Sequence, residues 1–217
     1  MMDFEAARTK MVDNQIRTTD VTSHSVLQAF LSVPREEFVP AKLKPIAYID
    51  EDLEIAPGRY LMEASPLAKL LQLARIGKAD LVLEVGCGTG YAAALLSQLA
   101  GSVVSVEANE QLCSQAVEIL SRLGYDNVAV VHGEMEKGYP TEAPYDIIFV
   151  NGAVEEVPAA LIEQLRDGGR LVAVVGHGNA AQARLLTKEH GAISETAHFN
   201  TSVRQLPGFQ KEPSFVF

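Results

Sequence analysis

The chain has 217 residues, enough for one α/β domain with an elaboration and for a substantial buried core. Apolar residues make up 47% and charged residues 21%, a globular balance, while a formal net charge of −10 leaves no basic surplus for neutralising phosphates and argues against a nucleic-acid partner. Cys87 and Cys113 have neither disulfide-framework nor zinc spacing, and the five histidines form no ligand pair, so no metal is expected. Free thiols, a polar start (Met1-Met2-Asp3-Phe4-Glu5) and the lack of any apolar run near ~20 residues point to a cytoplasmic chain without a membrane partner.

The first fifty residues read as helical. Phe4, Ala7, Met11 and Ile16 fall near helical spacing, and Thr22 or Ser23 caps a second helix carrying Val26, Leu27, Phe30 and Leu31. Pro34 ends it, because proline lacks the amide hydrogen that the next turn needs. A bounded connector over 33–40 follows, then Ala47-Tyr48-Ile49-Asp50 and a loop through Pro57-Gly58. Ser65-Pro66 signals the start of a helix with Leu67, Leu70, Leu71 and Leu73, Ser65 being its expected cap.

From residue 81 strand and helix alternate. Apolar runs predict strands at 81–85, 103–106, 127–131, 145–150 and 171–175, with helices at 91–99, 110–123 and 158–165 and a turn at Gly168-Gly169. Short apolar strands joined by helices form a parallel sheet covered on both faces. The last part breaks this rhythm: 184–187 and 193–199 flank Glu189-His190-Gly191 as an antiparallel hairpin. The expected class is α/β, a Rossmann-like seven-stranded class I methyltransferase fold: a mostly parallel sheet, a C-terminal antiparallel hairpin and an N-terminal helical extension. Residues 1–66 are read as that extension with a substrate-side cap loop, and 67–217 as the cofactor-binding domain.

The central motif is Glu84-Val85-Gly86-Cys87-Gly88-Thr89-Gly90-Tyr91, between a strand and a helix. Glycines let the backbone turn tightly and approach a ligand without a Cβ in the way. A dinucleotide fingerprint places its third glycine where Tyr91 stands, which together with the C-terminal hairpin disfavours a nicotinamide-dependent oxidoreductase. An acid two residues before the first glycine suits S-adenosyl-L-methionine, whose ammonium Glu84 balances while the amides near Gly88 receive its carboxylate. Glu107 closes the second strand, where Rossmann-like folds present an acid to the ribose hydroxyls, with Ala108 beside it. Glu134 is placed to meet the adenine amino group, and Asn151 follows the fourth strand into the crevice. The expected cofactor set is therefore Glu84, Gly86, Cys87, Gly88, Gly90, Glu107, Ala108, Glu134 and Asn151.

With these residues the chain resembles the protein-L-isoaspartate (D-aspartate) O-methyltransferases from about Val21 to Val175, and more loosely to the C-terminus. The resemblance rests on Val33-Pro34-Arg35-Glu36-Glu37-Phe38-Val39-Pro40, Ala47-Tyr48-Ile49-Asp50, the glycine motif, His132-Gly133-Glu134, Tyr145 to Ala153, Glu156-Val157-Pro158 and Leu165 to Val172. It implies methyl transfer from S-adenosylmethionine to the carboxylate of isoaspartyl residues in a damaged protein or peptide. It also implies where this chain diverges. Family members carry Gly-Gln-Thr-Ile-Ser, with the serine assigned to the active site; here the stretch is Gly58-Arg59-Tyr60-Leu61-Met62. Met62 cannot donate the hydrogen bond of a hydroxyl. The family's Asp after the third strand is Glu134, and its Thr-Ala-Ala is Asn151-Gly152-Ala153.

A carboxylate acceptor is already ionised near neutral pH, so no general base is needed, and losing one orienting hydrogen bond costs roughly 1–3 kcal/mol. Arg59, whose guanidinium can grip a carboxylate bidentately, and Ser65 are candidate substitutes; His177, between two glycines, is a candidate to face the acceptor. Two alternatives use the same cofactor residues: a different acceptor, such as a small-molecule carboxylate, or a cofactor-binding protein without isoaspartyl activity. Oligomeric state is left open.

Overall fold

The computed structural model describes residues 3–210. The last seven positions of the expected 67–217 domain, and the first two of the chain, lie outside the described residues.

Helix α1 (Phe4–Met11) is capped by Asp3, whose carboxylate accepts the Ala6 amide at 3.0 Å. Its chain continues in wider π-type turns over 12–16 and stops at Asp20, with φ 65°. Helix α2 (His24–Ser32) settles the open choice of cap in favour of Ser23, and Pro34 follows its end. Where a loop was expected, Leu53–Ala56 (β1) and Arg59–Leu61 (β2) pair as an antiparallel ribbon around Pro57-Gly58. Strands of four and three residues are too short for an alternating pattern to stand out in sequence. Helix α3 (Ala64–Ala74) corrects the expected cap: Glu63 takes that position, and Ser65 sits inside the first turn. The helix also runs across the expected 66/67 boundary.

The alternating part comprises β3 (Leu81–Val85), α4 (Tyr91–Leu99), β4 (Ser102–Glu107), α5 (Glu110–Arg122), β5 (Val128–His132), β6 (Tyr145–Val154), α6 (Ala159–Glu163) and β7 (Leu165–Val175). Two differences from the expected boundaries share a cause. β6 extends past Val150 and β7 begins before Gly168-Gly169, because their pairing tolerates irregular register near both ends. The expected glycine turn is thus an irregularity within β7, with Gly168 at φ +82°. β8 (Gln182–Glu189) and β9 (Ala192–Asn200) form the expected hairpin. Its two-residue turn, His190-Gly191, has φ of 51° and 77°, as a primed hairpin turn requires.

The seven strands run in the order β5-β4-β3-β6-β7-β8-β9, parallel through β7 and antiparallel after it. Alternate residues feed two cores. Val82, Val103, Ile147, Phe149 and Val172 pack with residues of α1 to α5, including Met11, Phe30 and Leu70. Leu83, Val104, Ile148, Val150 and Leu171 pack with Leu161 of α6, with Met135, and with Leu206 and Phe209 of the C-terminal segment. Both faces are covered as expected, but unevenly: five helices lie on one and a short helix plus irregular chain on the other. The N-terminal extension and the first of these faces share one continuous core. No helix among the described residues is long and apolar enough to cross a membrane.

Candidate functional site

The site gathers where β3 and β4 end, side by side as inner strands of the sheet. Gly86, Gly88 and Gly90 take φ of +87°, +57° and +95°, left-handed values that side chains disfavour, so the chain reverses sharply into α4. Thr89 Oγ1 donates to the Phe38 carbonyl at 2.6 Å and ties this turn to the 33–40 connector. Tyr91 points away from the crevice, into the helical extension, between Phe30 and Phe38. Cys87 is buried, and burial pushes its thiol well above the usual range, so it is an inert packing group.

Glu84 is fully buried on β3. Ser105 Oγ donates to its Oε2 at 2.6 Å and Asn151 Nδ2 to its Oε1 at 3.1 Å. Burial outweighs these bonds and raises the carboxyl to about 7. Asn151 also donates to the Gly86 carbonyl at 3.3 Å, bracing the turn from the neighbouring strand.

Glu107, at the end of β4, is also fully buried, and it already has its partners. Arg59 Nη2 donates to Oε2 at 2.8 Å and Nη1 donates to Oε1, a bidentate ion pair. The Gly88 amide adds a bond to Oε2 at 2.8 Å and the Asn109 amide one to Oε1 at 3.0 Å. In sequence Glu107 belongs to the cofactor and Arg59 to the acceptor; the structure joins the two. The ribbon brings a second group: a Cβ added to Gly88 would lie 2.8 Å from Ile55 Cδ1. From the other side Leu206 covers Gly86, 2.8 Å from where its Cβ would be. Ile55 and Leu206 were missed in the sequence because each reads as an ordinary apolar residue far from the motif.

The remaining expected residues divide. Ala108 is exposed at the end of β4, its carbonyl 3.0 Å from His132 Nε2. Glu134 is more than half exposed and pairs with Lys137 at 2.7 Å on its own turn. Met62 is buried; its carbonyl accepts from Arg35 Nη2 at 3.0 Å, and its side chain lines a cavity of about 10 Å³ with Asp52, Arg59, Tyr60, Asn151 and Arg204. That volume holds about one water. An open groove of about 590 Å³ continues from it past Tyr60 and Arg204 to His177. Arg204 lies over the Tyr60 ring at 4.8 Å and pairs with Asp52 at 3.4 Å; His177 bonds Glu155 at 3.1 Å. Ser65 lies elsewhere, in a groove with Thr19, Lys69 and Phe199.

The two carboxyls suit S-adenosylmethionine: one buried beside the glycine turn for an ammonium, a second at the next strand end for ribose hydroxyls. The space above them is held by the ends of Arg59 and Ile55, flexible side chains carried on the ribbon. The expectation that amides near Gly88 take the cofactor's carboxylate is corrected, because the Gly88 amide donates to Glu107 and the Gly86 and Gly90 amides to the Val106 and Cys87 carbonyls.

Comparison with known proteins gives consistent matches. The sequence pattern of the family described as protein-L-isoaspartate(D-aspartate) O-methyltransferase matches residues 6–212. A protein-L-isoaspartate O-methyltransferase of Koribacter versatilis is 40% identical over 193 residues, 89% of this chain and 87% of that protein. One from Methanoculleus marisnigri is 42% identical over 186 residues, 86% and 84% of the two chains. A solved protein-L-isoaspartate O-methyltransferase superposes with a TM-score of 0.80 at 31% identity, covering 93% of this chain and 66% of that one. A putative Plasmodium falciparum relative solved with S-adenosyl-L-homocysteine shares the fold, with a TM-score of 0.80 at 20% identity over 95% and 99% of the chains.

Proposed function

The chain belongs to the protein-L-isoaspartate(D-aspartate) O-methyltransferase family of S-adenosylmethionine-dependent enzymes, and from that premise we propose that it methylates a carboxylate, that of isoaspartyl residues in damaged cytoplasmic proteins. The observation that carries this reading is the pair of buried carboxyls, Glu84 and Glu107, flanking a left-handed glycine turn at adjacent strand ends. S-adenosylmethionine, when bound, supplies an electrophilic methyl group on a sulfonium. Glu84 receives the ammonium: a cation next to a carboxyl that burial has raised to about 7 restores its ionised form. Glu107 receives the ribose hydroxyls, with Gly86, Cys87, Gly88, Gly90, Ala108 and Asn151 forming the walls and Glu134 the outer rim.

Residues 1–66 serve as the acceptor-side cap, closing the site with the ribbon. The acceptor enters by the open groove and its carboxylate reaches the Met62 end of it, where Arg59, paired with Glu107, and Arg204, paired with Asp52, line the wall. No side chain has to remove a proton, since the nucleophile is an anion; the protein aligns it and keeps water out. Met62 and Tyr60 also favour a second reading, in which the same chemistry is turned to a different carboxylate.

The test uses methyl-labelled S-adenosylmethionine with an isoaspartyl peptide and its normal aspartyl counterpart. Base-labile label on the isoaspartyl peptide alone is the expected result. No label on either peptide, from folded protein that binds S-adenosylhomocysteine, would leave only the second reading or a protein that binds cofactor without turnover.

A further inference from the structure

A carboxylate has two oxygens and about four acceptor positions. All four of Glu107's are taken: Oε1 by Arg59 Nη1 and the Asn109 amide, Oε2 by Arg59 Nη2 and the Gly88 amide. The two amides belong to the turns that follow β4 and β3 and are fixed by them. Arg59 alone can leave, because it stands on a short ribbon at the rim. A ribose therefore reaches Glu107 only by displacing Arg59.

Among the residues lining the cavity, none offers the displaced guanidinium a free anion. Asp52, the other acid lining the cavity, already pairs with Arg204 and accepts the Glu63 amide at 2.9 Å. Arg59 would lose its counter-ion at the inner end of the groove beside Met62, the place where the family's orienting serine is replaced. A carboxylate entering there restores the lost pair.

We propose that Arg59 is shared between the two substrates: it holds Glu107 until the cofactor's ribose takes that carboxylate, and its freed guanidinium then grips the carboxylate of the acceptor. The inference rests on the cofactor and acceptor reading given above. Its thermodynamic consequence is positive coupling, in which cofactor and acceptor each tighten the other by the same factor. Cofactor alone binds more weakly than its contacts with the site would allow, since it must first break a buried ion pair.

Calorimetric titration with S-adenosylhomocysteine, which cannot turn over, reads this directly. On the wild-type protein, a saturating isoaspartyl peptide should tighten S-adenosylhomocysteine about tenfold or more, and the same peptide with its carboxylate amidated should not. Arg59→Met should bind S-adenosylhomocysteine alone about tenfold tighter than wild type and lose the response to peptide. Arg59→Lys keeps a cation against buried Glu107 and so guards against a folding failure; lacking the planar fork, it should show tighter binding than wild type and weaker coupling. Unchanged or weaker binding in both folded variants would overturn the proposal, as would an equal peptide effect with Arg59 and without it. Methyl transfer to the isoaspartyl peptide with no such coupling would sink this inference and leave the proposed function standing. Coupling without transfer would do the reverse.

Discussion

The ends of β3 and β4 and the ribbon of β1 and β2 face each other across the site, yet they hold their charged groups by different means. Glu84 and Glu107 stand on strands paired on both sides, and backbone amides help to fix Glu107. Arg59 stands on a two-stranded sheet of its own, an arrangement only marginally stable without packing. Buried Leu53, Ile55 and Leu61 anchor that ribbon, and the pair with Glu107 adds a polar anchor at its tip. Of the two partners of this buried ion pair, one is rigid and one is movable. Such a pair acts as a latch rather than a brace: its attraction largely offsets the cost of desolvating both ions, while losing either partner is expensive.

The largest effect should come from breaking the pair on its rigid side. Glu107→Ala leaves Arg59 buried without a counter-ion, at about 3–5 kcal/mol, and should lower the Tm by roughly 10 °C in a thermal melt. A shift below about 2 °C would mean the ribbon simply swings out to water, and the two regions would be less tightly joined than their geometry indicates.

Next is Glu84, whose hydrogen-bond donors, Ser105 and Asn151, are neutral. Its folded carboxyl is raised to about 7 from an ordinary value of 4.5, so it favours the folded state fully below about pH 4.5 and that stabilisation is lost as pH rises through 7. Urea unfolding of the wild type should therefore show this contribution falling by roughly 2–3 kcal/mol between pH 5 and 8. Glu84→Gln, which cannot ionise, should flatten that part of the profile. Equal profiles for the two proteins would show that Glu84 is already ionised by a partner and that the contrast with Glu107 is false.

What was legible in the sequence follows the same division. The glycine turn, Glu84 and Glu107 are set by local order along the chain: an apolar strand, a turn that needs left-handed residues, and an acid closing the next strand. The hairpin after β7 was readable too, since a breaker at His190-Gly191 lies between two strand-forming runs. The ribbon was not. Its strands are too short to show a period, and the partner that fixes Arg59 lies 48 residues further on. Leu206 reaches the glycine turn from the far end of the chain, and nothing in its neighbours marks it. Ser65 failed for another reason: its proximity to Met62 in sequence is undone by the first turn of α3, which turns it into another groove.

The smallest effect belongs to the outer rim. Lys137→Ala removes the partner of exposed Glu134 and should leave the Tm within about 1 °C, because a solvated pair within one turn contributes little. A larger shift would extend the ordered edge out to Glu134.

The most direct measurement follows the Arg59 guanidinium itself by nitrogen NMR, with its signals assigned by their loss in Arg59→Lys. Held in a bidentate pair with Glu107, its Nη groups should rotate slowly and give separate resonances. Saturation with S-adenosylhomocysteine should collapse them to an averaged signal, and adding the isoaspartyl peptide should separate them again at new positions. Resonances that stay separate and unmoved while S-adenosylhomocysteine is bound would show that Arg59 never leaves Glu107, and would contradict the account at its centre.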